Sequence, residues 1–287
     1  MIARSASWVF LRIGAAALAL AVFAHPATSD DEDEAKNVDS EELRETARLI
    51  QTELPRWKIG IGADGRELKL HPRPILRWTN PATGRMHGEI YVWTADGRPE
   101  TVMSLYKVWE PAWGFAGELH SLSLTNLGAK RDGAVAWKCD SPGIMLRDVP
   151  GAPAPAATAG PRLRQMRAIA ADFSAVLIDY RLNSDGERQA LRLLTNPVFR
   201  YSSPGGEVAD GALFAFVVGT DAEVLLLLEA REQEKKARWR YAFARLNRDE
   251  LSAFFKEQEV WSVGRASYEE RDQPYAFMSL SELPPRE

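Results

Sequence analysis

Residues 88–105, GEIYVWTADGRPETVMSL, and residues 211–228, GALFAFVVGTDAEVLLLL, carry one pattern twice. With Gly88 placed on Gly211, Glu100 falls on Glu223 and Leu105 on Leu228, with no gap between them. The apolar partners keep the same register: Ile90 with Leu213, Tyr91 with Phe214, Trp93 with Phe216. The match runs back through Pro81 on Pro204, Arg77 on Arg200, Pro74 on Pro197 and Leu70 on Leu193 to Leu68 on Leu191. Small shifts carry it outward, to Leu43-Arg44 with Leu163-Arg164, Asp64-Gly65 with Asp185-Gly186, Trp113 with Trp239 and Trp137 with Trp261. An internal repeat is a statement about architecture, because equivalent residues belong at equivalent places in two copies of one unit. The expectation is an α+β protein made by tandem duplication, each unit one N-terminal helix followed by an antiparallel sheet of about five strands.

The local patterns fill in that outline. Asp39 to Leu54 reads as a helix, with Asp39 as cap, Glu42 completing a capping box, and Pro55 as the stop. Leu43, Ala47, Ile50 and Leu54 share one face. The second helix opens at Pro161, with Leu163, Met166, Ala170 and Phe173 as its apolar stripe and Arg162, Arg164 and Arg167 toward water. Alternating or β-branched runs follow each helix, separated by turn signals such as Asp64-Gly65, Asp96-Gly97 and Ser184-Asp185-Gly186. Val224 to Leu228 does not alternate at all, which predicts a strand buried on both faces. Glu229 to Arg238 reads as an exposed hairpin loop, and Pro150–Pro161 (PGAPAPAATAGP) as an extended linker between units. The units are thus expected at 39–149 and 162–265, with a C-terminal tail at 266–287.

The N-terminus reads as a secretory signal over residues 1–29. Arg4 and Arg12 flank an apolar run from Ile13 to Phe23, and Val22-Phe23-Ala24 and Ala27-Thr28-Ser29 offer small residues for cleavage. That run is too short to cross a bilayer core, which needs about 20 apolar residues. No transmembrane segment is expected in the mature chain, and the expected address is periplasmic or extracellular. Five acids at Asp30 to Glu34 are read as part of a solvated, disordered spacer over 30–38. The formal net charge is −4, and the rest of the mature chain is close to neutral. A nucleic-acid partner, which needs a basic surface, is therefore excluded from the expectations. Cys139 is the only cysteine, so no disulfide within the chain helps to hold the fold.

The stretches RLRQMRAIAADFSA (162–175), PVFRY (197–201), DGALFAF (210–216) and EVLLLLEAR (223–231) resemble a family of exported bacterial proteins with no assigned activity. The resemblance implies an export-associated role. It brings no functional residues with it.

The usual chemical signatures are missing from the sequence: no glycine-rich phosphate loop, no nucleophile-elbow serine, no paired-cysteine zinc motif. One asymmetric constellation remains. His87 and Glu89 lie two apart on one expected strand, and Glu118 and His120 two apart on another, so each pair shares a strand face. Two imidazoles and a carboxylate from adjacent strands can hold a divalent metal with an open position. Trp93, Trp109, Trp113 and Trp137 are read as core, with a sugar-binding platform as the alternative. Cys139 follows Val135 and Trp137 on one strand face and reads as a small buried hydrophobe. The functional expectation is an exported, non-catalytic binding module or cell-envelope component of unspecified ligand, with no cofactor. The alternative is a metal-assisted hydrolase using His87, Glu89, Glu118 and His120 and a divalent metal.

Overall fold

The structure is a computed structural model that describes residues 29–280 except 82–83, 111–113, 181–184, 204–206 and 234–235. The expected signal region before Ser29, and Trp113, Ser184 and Pro204, lie outside the described residues. The chain divides after Asp39 into a short N-terminal unit and the body Ser40–Glu287. Side chains are described from Ser40 onward.

Helix α1 spans Ser29–Glu53 and passes through a 3-10 turn, Leu54–Arg56, into β1 (Trp57–Ile61), β2 (Arg66–Glu67), β3 (Lys69–Leu70) and β4 (Leu76–Thr79). The long strands β5 (Met86–Ala95), β6 (Arg98–Val108) and β7 (Gly114–Ser121) follow. After them come β8 (Leu127–Arg131), β9 (Ala134–Cys139) and β10 (Arg147–Asp148). Helix α2 (Ala159–Ala171) then leads to β11 (Phe173–Asp179), β12 (Glu187–Leu193), β13 (Phe199–Tyr201), β14 (Val208–Val218) and β15 (Asp221–Gln233). The chain closes with β16 (Lys236–Arg245), β17 (Glu250–Phe255), β18 (Gln258–Val263) and β19 (Tyr275–Ser279).

The described residues are mostly antiparallel β-sheet with two α-helices. The strands form sheets of four, nine and six rather than two sheets of about five. In the second half β12 is continuous and pairs with both β11 and β14, which fuses what would be two sheets into one. In the first half the corresponding run is interrupted at Leu68, between β2 on β1 and β3 on β5, and the sheets stay separate.

The meanders β5-β6-β7 and β14-β15-β16 form the centre of the molecule. In the first, Gly88 pairs with Tyr106 and Trp93 with Thr101, followed by a bulge before Thr94. In the second, Gly211 pairs with Glu229 and Phe216 with Val224, followed by a bulge before Val217. Short outer strands sit alike, with Trp78 on Gly88 and Tyr201 on Gly211. Each glycine is required by that ring: a Cβ on Gly88 would lie 2.4 Å from Trp78, and one on Gly211 2.5 Å from Tyr201.

Alternation assigns three cores. Ile90, Val92 and Val102 of one meander pack with Leu213, Ala215, Leu225 and Leu227 of the other, so the two long sheets face each other. On the far face of the first, Tyr91, Trp93, Met103 and Leu105 pack with Ile50 of α1 and with Ile59, Ala129 and Trp137 of the four-stranded sheet. On the far face of the second, Phe214, Phe216, Leu226 and Leu228 pack with Met166 and Ala170 of α2 and with β11 and β17. Val224 to Leu228 is accordingly buried on both faces.

Several local expectations are corrected. Helix α1 already includes Ser29, the first described residue, so Asp39 lies within it rather than at its cap, and the acidic run Asp30–Glu34 is helical rather than a disordered spacer. Glu229–Arg238 is not a loop: β15 and β16 run through most of it, and Glu229 is completely buried. Arg162 of α2 does not point to water but donates to Asp210 at 2.9 Å. The expected tail contains β19, which pairs with β7. The linker is pinned to α2, with Gln165 Oε1 accepting from the Ala156 N–H at 2.8 Å and Gln165 Nε2 donating to the Ala154 carbonyl at 2.9 Å.

Candidate functional site

The four residues expected to bind a metal do not converge. Across the ladders Ile90 lies opposite Ser104 and Ser104 opposite Glu118, while Val92 lies opposite Val102 and Val102 opposite His120. Residues directly opposite share a face, which puts Glu118 and His120 between the two long sheets. His87 and Glu89 alternate with Gly88 and Ile90 on β5 and therefore occupy the other face. Spacing along one strand fixes a face, but only the pairing between strands decides whether two faces agree. Among the described residues no group of three or more His, Cys, Asp or Glu side chains is arranged to hold a metal ion.

Each of the four has a structural environment. Glu89 accepts from Arg77 Nε and Tyr91 Oη, both at 2.7 Å. His87 Nε2 lies 3.4 Å from Glu42 of α1, which also pairs with Arg85 at 3.2 Å. Glu118 accepts from Tyr106 Oη at 3.1 Å. Burial, with the nearby Glu223 carboxylate adding to it, pushes the Glu118 carboxyl up to about 8. Burial, with Arg245 nearby, pushes His120 down to about 3.

The tryptophans are largely core. Trp93 and Trp137 are buried in the cluster beneath α1. Trp109 is covered by the Lys107 ammonium 3.5 Å from its ring centre and donates to Thr46. Cys139 is buried, donates from Sγ to the Ser141 carbonyl at 3.2 Å, and has its thiol pKa raised by burial.

A different site emerges at the edge of β16. A cleft of about 1000 Å³ lies between that edge, the segment Pro142–Arg147, the end of β18 and the chain entering β19. Its size is at the upper end of the ~300–1,000 Å³ usual for ligand pockets. Phe243 and Trp261, stacked with centroids 5.4 Å apart, form one wall with Val260 and Val263. Ile144, Met145 and Leu124 line another part, and Met145 is 70 % exposed.

Polar groups reach into this apolar setting. His120 is only 5 % exposed and lines the cleft. Its Nε2 sits 3.3 Å from the Gly143 carbonyl, so Nε2 carries the proton and Nδ1 is left as a bare acceptor. That Nδ1 has no hydrogen-bond partner among the described residues. Arg245 donates to the carbonyls of Asn247, Gly264 and Asp249 at 2.7, 2.7 and 2.5 Å. Arg147 donates to the Val260 carbonyl at 2.7 Å. Neither arginine has a carboxylate ion-pair partner among the described residues. Arg231 and Arg240 do, pairing with Glu229 and Asp148.

Sequence reasoning passes over this site because its parts are scattered. The available signal is modest: Ile144-Met145-Leu146 is an apolar run directly after Pro142-Gly143, where a turn into solvent is expected. Compared with protein-family models, curated proteins and solved structures, the chain matches none, and no family model supports the resemblance of residues 162–175 and 197–231 to exported bacterial proteins. No helix among the described residues is long and apolar enough to cross a membrane.

Proposed function

We propose that this chain is an exported, non-catalytic binding protein, built by tandem duplication, whose ligand occupies the cleft along β16. The observation that carries the binding reading is the cleft itself: a recess with apolar and charged walls whose lining includes a buried imidazole with no partner for its acceptor nitrogen among the described residues. An unsatisfied buried polar atom is costly, and a ligand donor relieves that cost. The duplication is supported by the matching registers, the bulges after Trp93 and Phe216, and the ring-covered glycines at 88 and 211. The cleft lies along the outer edge of β16 and takes its walls from both halves of the chain, while the equivalent edge of β7 is covered by β19. Export rests on the arginine-flanked apolar run ending at Phe23 and the small residues after it.

The binding reading is tested with the fluorescent apolar anion 1-anilinonaphthalene-8-sulfonate. The native protein should bind it saturably at one site. The double variant Met145→Asp, Leu124→Asp changes two exposed side chains and should weaken binding at least about tenfold. Equal binding by a variant with unchanged thermal stability would overturn the assignment of the cleft.

A further inference from the structure

We infer that the occupant of the cleft is an extended peptide segment that adds as a strand to the outer edge of β16, pairing with the main chain of Phe243 and Arg245. This rests on the reading of the cleft as the binding site and specifies what fills it.

The comparison is between the third strands of the two meanders. On the outer edge of β7, β19 pairs continuously from Ala116 with Ser279 to His120 with Tyr275. The Ser121 N–H then donates to the Pro274 carbonyl at 2.8 Å, which extends that ladder by one more residue. On the outer edge of β16 the cover is far shorter. β10 pairs only Asp148 with Arg240 and Arg147 with Tyr241, and the Val149 N–H donates to the Trp239 carbonyl at 2.9 Å.

Main-chain groups of a strand turn to the same edge at every second residue. Trp239 and Tyr241 face outward, so Phe243 and Arg245 do as well. Their partners in a continued register would be Met145 and Gly143. That continuation is diverted. The Gly143 N–H donates to the Ser123 carbonyl at 2.9 Å and its carbonyl faces His120, both on the opposite side of the cleft. Met145 swings out to solvent. The covering strand is peeled off where β16 needs it, and the gap it leaves is the cleft. Among the described residues no strand pairs with Phe243 or Arg245 on this side.

An open strand edge inside a recess is the geometry of strand addition, in which main-chain bonds supply affinity and alternate side chains supply selectivity. An amphiphile would use the apolar walls but leave the edge amides unpaired. The walls also define a preference. Side chains of an added strand on the Phe243 and Trp261 side meet an apolar surface. Those on the other side meet His120, a polar wall that suits a hydroxyl-bearing side chain. In the covered sheet β19 follows the same rule, with Ala276 and Met278 placed in the apolar cluster beneath α1.

The test uses the full-length protein and the capped nonapeptide DQPYAFMSL, the sequence of residues 272–280. The peptide should displace bound 1-anilinonaphthalene-8-sulfonate and slow hydrogen exchange at the Phe243 and Arg245 amides at least about tenfold. N-methylation of alternate peptide amides should abolish displacement, while the other alternate set should be tolerated. If the dye binds but the peptide neither displaces it nor protects these amides, strand addition is overturned and the cleft reading stands. Displacement by oleate alone, with no protection from the peptide, would assign the cleft to amphiphiles instead. If the dye itself fails to bind, the cleft reading falls, and amide protection by the peptide alone decides strand addition.

Discussion

Arg98 Nε donates to Glu229 Oε1 at 2.8 Å, joining β6 of one long sheet to β15 of the other in a region closed to water. Glu229 also accepts from Tyr201 Oη and Arg231, both at 2.8 Å, and Arg98 pairs with Glu100 at 3.0 Å. Burial raises the Glu100 carboxyl above its usual range, and Arg98 partly offsets that rise. Removing one member strands the others. Glu229→Ala should cost about 3–5 kcal/mol by urea denaturation. The double variant Arg98→Met, Glu229→Leu should cost much less than the two single changes summed, since both charges then leave together. Strict additivity would show that the pair is not coupled.

Gly88→Ala and Gly211→Ala should each cost about 1–3 kcal/mol, because the added methyl collides with the Trp78 or Tyr201 ring and forces overpacking. Gly114→Ala is the control, since among the described residues nothing lies within 4 Å of its would-be Cβ. Equilibrium unfolding of the three variants side by side checks the claim. A cost at Gly114 equal to the others would mean that conformational freedom, not ring contact, sets the requirement.

Two buried groups between the sheets give opposite pH dependences. Glu118 in the folded chain titrates near 8 rather than 4.5, so between those values the folded state holds the extra proton. Raising the pH through that window therefore lowers stability. His120 titrates near 3 rather than 6.5, so there the unfolded state holds the extra proton and lowering the pH lowers stability. From 4.5 to 6.5 the two slopes oppose each other. Their joint contribution is greatest in that interval and falls above it by up to about 1.4 kcal/mol per pH unit. Thermal melts from pH 4 to 9 should show the Glu118→Gln variant losing the decline between 6.5 and 8. An unchanged slope would remove Glu118 as its source.

Trp93→Ala and Trp137→Ala should each destabilise by about 3–5 kcal/mol through cavity formation. Both rings are packed in the cluster beneath α1, and Trp137 Nε1 donates to the Gln273 carbonyl at 2.8 Å. A stable variant that has lost a sugar ligand would instead restore the platform reading.

The central strands were legible because their information is local. The apolar runs Ile90–Trp93 and Val224–Leu228 specify strands buried on both faces, and Asp96-Gly97 marks the first hairpin. What was illegible depended on partners far away in sequence. β8 and β17 carry Gly128, Ala129 and Ala253, which say little about strands until neighbours pair with them. β10 is two residues long, and β19 follows a polar stretch far from its partner; both exist because an edge receives them. His87 and Glu118 each had a readable local face, but the ladder through β6 decided that these faces oppose each other. The cleft was hidden for the same reason, being made where a pairing stops rather than where a motif begins.

The placement of β10 and β19 sets an order of events during synthesis. β10 leaves the first half of the chain and pairs with β16 of the second, while β19, at the far end, returns to pair with β7 of the first. A ribosome releasing this protein from its N-terminus presents β7 long before the strand that covers it exists. Its naked edge must wait until Ser279 has been made, a delay of about 10–30 s at 5–20 residues per second. Export in an unfolded form, followed by folding with both ends at hand, would spare the chain that exposure. Detached from its last residues, the first half is left with an unsealed margin that invites self-association.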